Sequence, residues 1–250
     1  MAEVSVITPM YNAANYLAET AASVRAQTFT DWEWWIVDDC SSDNSYALAQ
    51  QLAAADSRIH VLQNEKNIGQ AWSRKAGVDR ATGRYICYID ADDLWHAEKL
   101  AKQVAFMKDK ACSFSFTAYK HFAADIHEHA KVIHAPAMVD YAGLLRMNSI
   151  GCLTIMYDAK QLGKQWREPV MRENDYLLWL GILKTGACAY GLNEVLAYYR
   201  TGHMSVSKNK LKVSRYYWGI IRHNEKLPLL KAAFYFVRYA ILGVLKHYTP

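Results

Sequence analysis

The feature that most constrains this chain is the alternation of short apolar strands with helical segments in its first half. Four apolar runs, at residues 4–7, 32–37, 59–62 and 85–89, have the length of buried strands. Stretches with apolar residues at helical spacing separate them. Such alternation is typical of βαβ units, in which consecutive strands lie parallel in one sheet flanked by helices. The sequence therefore predicts an α/β fold with a Rossmann-like, mostly parallel sheet.

The remaining elements follow from the same signals. Pro9 is expected to end the first strand, and Gly83 to follow the third helix. The predicted helices cover 13–27, 41–54, 70–81, 96–108 and 173–185, and the later predicted strands cover 112–116, 150–157, 187–190 and 195–200. Residues 119–139 contain four histidines, but their spacing fits no familiar metal-ligand pattern. That segment is therefore predicted to be a solvated loop or an edge hairpin.

Charge is distributed unevenly along the chain. Residues 208–250 contain nine Lys and Arg and a single acid, Glu225, whereas residues 1–207 carry a net charge of −3. Within 229–246, Lys231, Arg238 and Lys246 recur on one helical face among apolar and aromatic residues. This composition is typical of an amphipathic helix on an anionic membrane surface. A helix covering the core and a dimer interface are the alternatives. Nucleic acid is not favoured, since the rest of the chain lacks a basic stripe.

The cysteines and the N-terminus indicate a compartment. The five cysteines are widely spaced and form no CxxC pair, which argues against a disulfide framework and a structural zinc site. The sequence does not begin with a charged segment followed by an apolar one, as a secretory signal would. It also contains no run of 18 or more uncharged apolar residues, the length that a membrane-spanning helix needs. We therefore expect a protein of the reducing cytoplasm.

Polar residues follow each of the four early strands. Since ligands of parallel sheets bind at the carboxyl ends of the strands, these residues are expected to form one site. Neither GxGxxG after the first strand nor GxxxxGK[ST] occurs, which disfavours a dinucleotide site and a P-loop. The residues in question are Pro9, Tyr11 and Asn12 after the first strand, Asp39 after the second, Asn67, Gly69 and Arg74 after the third, and Asp90, Ala91 and Asp92 after the fourth.

The run Asp90-Ala91-Asp92-Asp93 places three carboxylates within four residues. Such like charges repel one another unless a cation neutralises them. Oxygen ligands of this kind suit Mg²⁺ or Mn²⁺, which proteins commonly bind through one or two carboxylates together with substrate phosphates. The alternative is that Asp92 or Asp93 merely caps a helix beginning near Trp95.

Together these motifs resemble the GT-A fold glycosyltransferases of family 2, in particular bacterial enzymes of capsule, O-antigen and teichuronic acid synthesis. The resemblance covers about residues 3–200, with the motifs in the family's order. The matching segments are TPMYN at 8–12, VDDCSSDNS at 37–45, NIGQAWSRKAG at 67–77, YIDADD at 88–93 and ENDYLLWL at 173–180.

The resemblance implies a role for each matching residue. Pro9, Tyr11 and Asp39 would hold the uracil and ribose of a UDP-sugar, with Arg74 reaching the base. Asp90 would lie near the ribose and the metal, and Asp92 would ligate the metal. Asn12, Asn67, Gly69 and Ala91 would complete the nucleotide site, Asp175 would be the catalytic base, and His203 is a candidate third metal ligand.

Three of these roles have alternatives. Asn174 stands where the family usually has Glu, and Glu173 lies one residue earlier, so Glu173 is a candidate to share the task of Asp175. An Asp in the first turn of a helix also complements the helix dipole without any catalytic role. His203 is otherwise an ordinary loop histidine.

The resemblance implies an inverting, metal-dependent transfer of a hexose or N-acetylhexosamine from a UDP-sugar to a lipid-diphosphate-linked saccharide, with undecaprenyl diphosphate as the expected lipid. A nucleotidyltransferase and a sugar-nucleotide-binding scaffold are the alternatives. We expect a catalytic domain over 1–207, with a nucleotide-binding half (1–95) and an acceptor half (96–207). Residues 208–250 would hold it, as a peripheral protein, on the inner face of the cell membrane.

Overall fold

The computed structural model describes residues 2–170, 173–201 and 210–248 of the chain. Its strands are β1 (Val4–Met10), β2 (Trp32–Asp38), β3 (Ile59–Gln63), β4 (Tyr85–Tyr88), β5 (Leu94–Trp95), β6 (Phe114–Phe122), β7 (Val132–Ile133), β8 (Met138–Val139), β9 (Met156–Asp158) and β10 (Ala189–Arg200). Its α-helices are α1 (Leu17–Arg25), α2 (Ser45–Ala55), α3 (Gln70–Arg80), α4 (Lys99–Asp109), α5 (Tyr141–Arg146), α6 (Ala159–Leu162), α7 (Asn174–Leu183), α8 (Lys210–Gly219) and α9 (Leu229–Tyr248).

The strands form one mixed sheet of the predicted class. Its order is β3-β2-β1-β4-β9-β6-β10-β5, with β7 beside β6 and β8 beside β10. The four early strands pair in parallel, as does β10 with β6, whereas the other pairings are short and antiparallel. Val6 lies in one hydrophobic cluster and Ile7 in the other, because successive side chains of a strand point to opposite faces. The α/β, mostly parallel sheet flanked by helices is therefore confirmed.

The strand β1 continues through Pro9, so the prediction that Pro9 ends it is wrong. The pairing of β1 with β4 stops at Ile7, whereas its pairing with β2 continues to Met10. Proline cannot donate to a ladder, and in this part of β1 only one neighbouring strand needs donors. The strand can therefore extend by three residues beyond its pairing with β4.

The second half departs further from the prediction. The segment 150–157 begins with a 3-10 turn (Cys152–Thr154) before β9, and the strand expected at 112–116 extends to Phe122. The two strands expected at 187–190 and 195–200 are a single strand, β10, whose register with β6 shifts around Asn193 and Glu194. The sequence predicts a turn at this β-bulge, because Asn193 and Glu194 interrupt the apolar pattern of the strand.

The histidine-rich segment forms an edge hairpin, which is one of the two forms that the sequence predicted. Tyr119 of β6 pairs with Ile133 of β7, and the connecting residues are largely exposed. Among the residues that the structure describes, no group of three His, Cys, Asp or Glu side chains is placed to hold a metal ion.

The C-terminal helical extension packs against the second half of the sheet domain. α8 runs into a π-helical turn (Ile220–Asn224), and α9 follows. Ile221 and Ala232 are buried in the same hydrophobic cluster as Trp179 of α7, and the rings of Tyr217 and Tyr239 stack 4.0 Å apart. These helices therefore contribute to the core. Within the described ranges, no helix is both long and apolar enough to span a membrane.

Candidate active site

A cavity of about 530 Å³ lies at the carboxyl ends of β1, β2 and β4. The parallel register brings these ends together, and the backbone N–H of Asp39 donates to the carbonyl of Met10 at 2.8 Å. Of the residues predicted to bind the nucleotide, all but Arg74 line this cavity: Pro9, Tyr11, Asn12, Asp39, Asn67, Gly69, Asp90, Ala91 and Asp92. The structure thus brings together residues that are up to 83 positions apart in the sequence.

The loop after β1 presents an aromatic face to this cavity. Tyr11 is 53% exposed, so its ring is open to a flat ligand. Asn12 adopts a left-handed conformation (φ 49°), and its Oδ1 accepts from the backbone N–H of Ser42 at 2.8 Å. Asn12 therefore fastens the first loop to the second, which fixes the position of Tyr11.

Asp39 organises the loop that precedes α3. Its Oδ1 accepts from the backbone N–H of Ile68 at 2.9 Å, and its Oδ2 accepts from the N–H of Gly69 at 2.8 Å. Gly69 has φ 90°, a conformation that glycine adopts without the steric cost of a side chain. Asp39 is itself buried, and its two hydrogen bonds hold the loop that follows Asn67 at the cavity edge.

The acidic loop after β4 lies where the first cavity meets a second one. Asp90 Oδ1 accepts from Gln70 Nε2 at 3.0 Å and from Arg74 Nη2 at 3.1 Å. The backbone carbonyl of Asp92 accepts from Arg200 Nε at 2.8 Å. Arg200 lies at the end of β10 and also pairs with Glu19 at 2.6 Å, so it anchors this loop to two distant elements.

Asp93 does not cap a helix, and the alternative that Asp92 or Asp93 merely does so is wrong. The chain forms β5 at Leu94–Trp95, and α4 begins only at Lys99. Asp93 instead accepts from the backbone N–H of Arg200 at 2.9 Å. Burial raises the pKa of Asp93 well above its usual range, and the carboxylates of Asp90 and Asp92 raise it further. The negative charge of this loop therefore lies on Asp90 and Asp92, where a cation would offset it.

The carboxylates of this loop suit a divalent metal ion whose coordination is completed by a bound substrate. Asp90 and Asp92 both line the first cavity and offer hard oxygen atoms. No third His, Cys, Asp or Glu completes a metal cluster with them in the described part of the chain, and His203 lies outside the described residues. Mg²⁺ and Mn²⁺ commonly take one or two carboxylates and complete their shell with phosphates and water. The residues present fit that arrangement.

The second cavity, of about 800 Å³, adjoins the first and shares Gly69, Gln70 and Asp90 with it. Arg74 lies here rather than beside Tyr11, and it is 8% exposed. Arg74 reaches this position because α3 packs closely on β1. Gly77 allows the close packing, since a Cβ atom at this position would clash with the side chain of Ile7. The predicted nucleotide set is therefore divided between two adjoining cavities.

Asp175 also lines the second cavity, in the first turn of α7. Burial raises the pKa of Asp175, and Asp90 raises it further, whereas the backbone N–H of Tyr176, 2.8 Å away, and the Arg74 guanidinium lower it. The net effect is a raised pKa. This direction suits a carboxylate that has to accept a proton near neutral pH.

The two residues before Asp175 have distinct positions. Asn174 Oδ1 accepts from the backbone N–H of Val170 at 2.7 Å, so its side chain holds the preceding loop. Glu173 lines the same cavity as Asp175 and adopts a left-handed conformation, with φ 60°. Glu173 thus remains a candidate to share the role of Asp175.

Sequence reasoning missed an aromatic pair at the mouth of the second cavity. Trp72 lines the cavity and is 40% exposed, and its ring centroid lies 5.1 Å from that of Trp166. The Lys75 Nζ atom lies over the Trp166 ring, 5.5 Å from its centroid. The signal was present, because Trp72 stands on the polar side of α3, where a large aromatic residue has no core to fill.

The comparisons with known proteins agree with this geometry. The family model "Glycosyl transferase family 2" matches residues 5–192. TuaG of Bacillus subtilis, named for teichuronic acid biosynthesis, is 44% identical over 97% of this chain and 96% of its own length. WfgD of Escherichia coli, named as a UDP-Glc:alpha-D-GlcNAc-diphosphoundecaprenol beta-1,3-glucosyltransferase, is 34% identical over 98% of this chain and 94% of its own length.

Solved structures show the same fold at low sequence identity. S. aureus TarS (residues 1–349) in complex with UDP-GlcNAc has a TM-score of 0.70 and 20% identity, covering 88% of this chain and 67% of its own. The Pyrobaculum calidifontis mannosyltransferase solved with GDP-Man and Mn²⁺ has a TM-score of 0.65 and 18% identity, covering 94% and 69%. GT-A neighbours thus include a protein solved with a divalent metal. Because the family model spans most of the chain and both relatives align along almost their full length, this chain belongs to glycosyltransferase family 2, whose members invert the configuration of the transferred sugar.

Proposed function

We propose that this enzyme transfers a hexose or N-acetylhexosamine from a UDP-sugar to a lipid-diphosphate-linked saccharide in the synthesis of a bacterial surface polysaccharide. The observation that carries the proposal is the meeting of two cavities at Asp90, one lined by the predicted nucleotide-binding residues and one containing Asp175. The names of TuaG and WfgD support the acceptor class and the pathway type.

In this proposal the first cavity holds the nucleotide. The exposed ring of Tyr11 stacks on the uracil, and Pro9 and the loop that Asp39 orders enclose the ribose. Arg74 faces the second cavity and pairs with Asp90, which favours a contact with the diphosphate or the donor sugar over a contact with the base. Mg²⁺ or Mn²⁺ held by Asp90, Asp92 and the phosphates would supply positive charge against the charge that develops on UDP.

Asp175 is the proposed base. An acceptor hydroxyl is a weak nucleophile near pH 7, and a positioned carboxylate that accepts its proton makes it a better one. Asp175 lies in the second cavity, next to the acidic loop that would face the diphosphate. Attack from the side opposite to the departing UDP inverts the anomeric centre, in agreement with the family.

The acceptor saccharide is proposed to lie against Trp72. Its indole is exposed at the cavity mouth and is backed by Trp166. The C–H face of a pyranose packs on such a ring, as apolar groups pack on aromatic side chains elsewhere. A polar side chain at position 72 would not offer the sugar this apolar surface.

We also propose that the C-terminal helices hold the enzyme on an anionic membrane surface at the cytoplasmic side. Leu230, Phe234, Val237 and Ile241 are exposed on α9 at spacings of four and three residues, which places them on one face. Lys231 and Arg238 lie beside this stripe and are exposed. Since the opposite face of α9 is buried in the core, the helix serves both as a core-covering and as a surface element.

The experiment that tests the proposal is a panel of UDP-sugars incubated with Mn²⁺ or Mg²⁺, with and without a lipid-diphosphate saccharide, followed by the release of UDP. Turnover that favours one donor, increases with the acceptor and stops with EDTA is expected. An Asp92→Ala variant is expected to lose turnover in the same way. Absence of UDP release with every donor in the presence of acceptor would contradict the proposal.

A further inference from the structure

A third cavity, of about 500 Å³, lies beside the proposed acceptor cavity. Val170 lines both of them, so the two cavities share a wall. The rest of the lining comes from α8 and the π-helical turn: Arg215, Tyr216, Gly219, Ile220, His223 and Asn224.

The helix geometry explains why these residues share one face. They form adjacent pairs that recur every four residues. An α-helix has 3.6 residues per turn, so a residue four positions later lies slightly more than one full turn further round the axis. The π turn has more residues per turn and rotates the later residues in the opposite sense, which compensates for this offset. The hydrogen bond that defines the π turn runs from the N–H of Glu225 to the carbonyl of Ile220, five residues earlier, at 2.9 Å. Arg215 and His223 therefore reach the same cavity.

The face is free of opposing acid from its own helices. Glu225 is the single acid of residues 208–250, and it is buried away from this cavity. Its carboxylate is within 3.1 Å of Arg167 Nη2 and 2.8 Å of Lys184 Nζ, and it accepts from the hydroxyl of Tyr141 at 2.7 Å. The exposed side chains of Arg215 and His223 thus offer nitrogen donors to a ligand.

Besides the polar side chains of Tyr216 and Asn224, part of the lining is apolar. Val170 and Ile220 contribute alkyl groups, and Gly219 adds no side chain. A cavity with nitrogen donors from Arg215, His223 and Asn224 and an apolar wall suits a molecule with a compact anionic group joined to a hydrocarbon chain. The chain continues from this cavity into α9, whose exposed apolar stripe lies on the same C-terminal unit.

We infer that this third cavity binds the diphosphate and the first isoprenoid units of the acceptor, while its saccharide lies in the second cavity. The inference rests on the proposed function for its acceptor class, and it adds the place where the lipid diphosphate is recognised. Arg215 forms the charged hydrogen bonds to the diphosphate, His223 and Asn224 add further donors, and Ile220 and Val170 contact the hydrocarbon.

The direct test is calorimetric binding of farnesyl diphosphate to the full chain in the presence of EDTA, which prevents binding through a metal at Asp90 and Asp92. Arg215→Gln is expected to weaken the affinity about tenfold or more, because it removes a charged hydrogen-bond donor. Arg215→Lys is expected to restore part of it. Arg80→Gln removes an exposed arginine that lines none of the three cavities and is expected to have no effect.

Two further ligands show how much of the affinity comes from the diphosphate and how much from the hydrocarbon chain. Farnesol and inorganic pyrophosphate are each expected to bind more weakly than farnesyl diphosphate, because each lacks one half of the proposed ligand. Pyrophosphate binding as tightly, with the same dependence on Arg215, would make this a site for free phosphates and overturn the lipid part. Unchanged affinity for farnesyl diphosphate in Arg215→Gln would overturn the inference entirely.

A kinetic readout keeps this inference distinct from the proposed function. Arg215→Gln is expected to raise the KM for the lipid-diphosphate acceptor about tenfold and to leave acceptor-free hydrolysis of the donor unchanged. If the wild type turns over a donor but Arg215 affects neither KM nor binding, the inference fails and the proposed function stands. If Arg215 controls farnesyl diphosphate binding but no donor is turned over, the proposed function fails and the site stands.

Discussion

The guanidinium of Arg74 lies 3.1 Å from the carboxylate of Asp90, at the wall that the nucleotide and acceptor cavities share. Gln70 donates to the same oxygen of Asp90 at 3.0 Å, so α3 holds the acidic loop at two points. In the proposed function, the diphosphate of the donor would lie at this contact, beside the cavity that contains Asp175. The helix α3 would then contact the reacting centre as well as the nucleotide.

The first prediction concerns the pH dependence of turnover. Because the pKa of Asp175 is raised, its carboxylate becomes protonated at a higher pH than an ordinary Asp, whose pKa is about 4. The acid limb of the kcat profile is therefore expected to lie above pH 4, with activity falling as the pH falls through it. A profile measured with saturating donor and acceptor checks this. An acid limb at or below the ordinary Asp value would contradict it.

The same pKa shift predicts an effect on stability. A carboxyl with a raised pKa in the folded state stabilises the protein below its unfolded pKa and loses that contribution as the pH rises through the folded value. At pH 7 the ionised Asp175 therefore costs stability. Asp175→Asn is expected to raise the free energy of unfolding at pH 7, relative to the wild type, and to change it less at pH 4. Urea titrations at both pH values measure this, and a destabilised variant at pH 7 would contradict it.

A third prediction concerns Trp72. Trp72→Ala is expected to raise the KM for the saccharide acceptor about tenfold, since it removes the exposed ring on which the sugar packs. Trp72→Phe keeps an aromatic face and is expected to retain most of the affinity. Acceptor-free donor hydrolysis is expected to be unchanged in both. Equal acceptor KM values in Trp72→Ala and the wild type would exclude the platform.

The fourth prediction concerns Glu225, which joins three elements. Glu225→Gln removes the charge that pairs with Arg167 and Lys184 and is expected to lower the free energy of unfolding by about 2 kcal/mol, because those partners are partly exposed and lose only part of their stabilisation. Glu168→Gln, at an exposed position, is the matched control. Urea unfolding measures both. Equal stabilities would show that the carboxylate contributes nothing to the docking of the C-terminal helices.

The fifth prediction concerns the apolar stripe of α9. The double variant Phe234→Ser, Val237→Ser is expected to bind anionic vesicles at least about tenfold more weakly, because both side chains are exposed and available for burial in lipid. Met138→Ser, another exposed apolar site, is the control. Point variants are preferable to truncation, because removing the helices would also remove Ile221 and Ala232 from the core. A change in oligomeric state with unchanged vesicle binding would instead indicate a dimer interface.

The sequence predicted the first half of the fold well because β1, β2 and β4 are buried on both faces and appear as largely apolar runs. It therefore also predicted that Tyr11, Asp39 and Asp92 meet at one edge, which the structure confirms. It failed where long-range packing decides the outcome. The bulge at Asn193 and Glu194 resembles a turn locally, and only the pairing with β6 makes it part of a strand.

The position of Arg74 in the site and the buried face of α9 could not be predicted from local sequence. The position of Arg74 in the second cavity depends on how closely α3 packs on β1 at Gly77, which spacing alone does not reveal. The sequence pattern of α9 shows apolar residues on most faces, so it does not tell which face the core takes. In the structure Ala232 and Tyr235 are buried and Phe234 and Val237 remain outside.

The most direct test of the central claim compares Asp175→Asn with the wild type in turnover and in UDP affinity. Loss of the base is expected to lower kcat by about 10²- to 10⁴-fold while the affinity for UDP with Mn²⁺ stays the same. Asp109→Asn, at an exposed position at the end of α4, is expected to match the wild type in both. Full turnover in Asp175→Asn would contradict the account and shift the search for the base to Glu173.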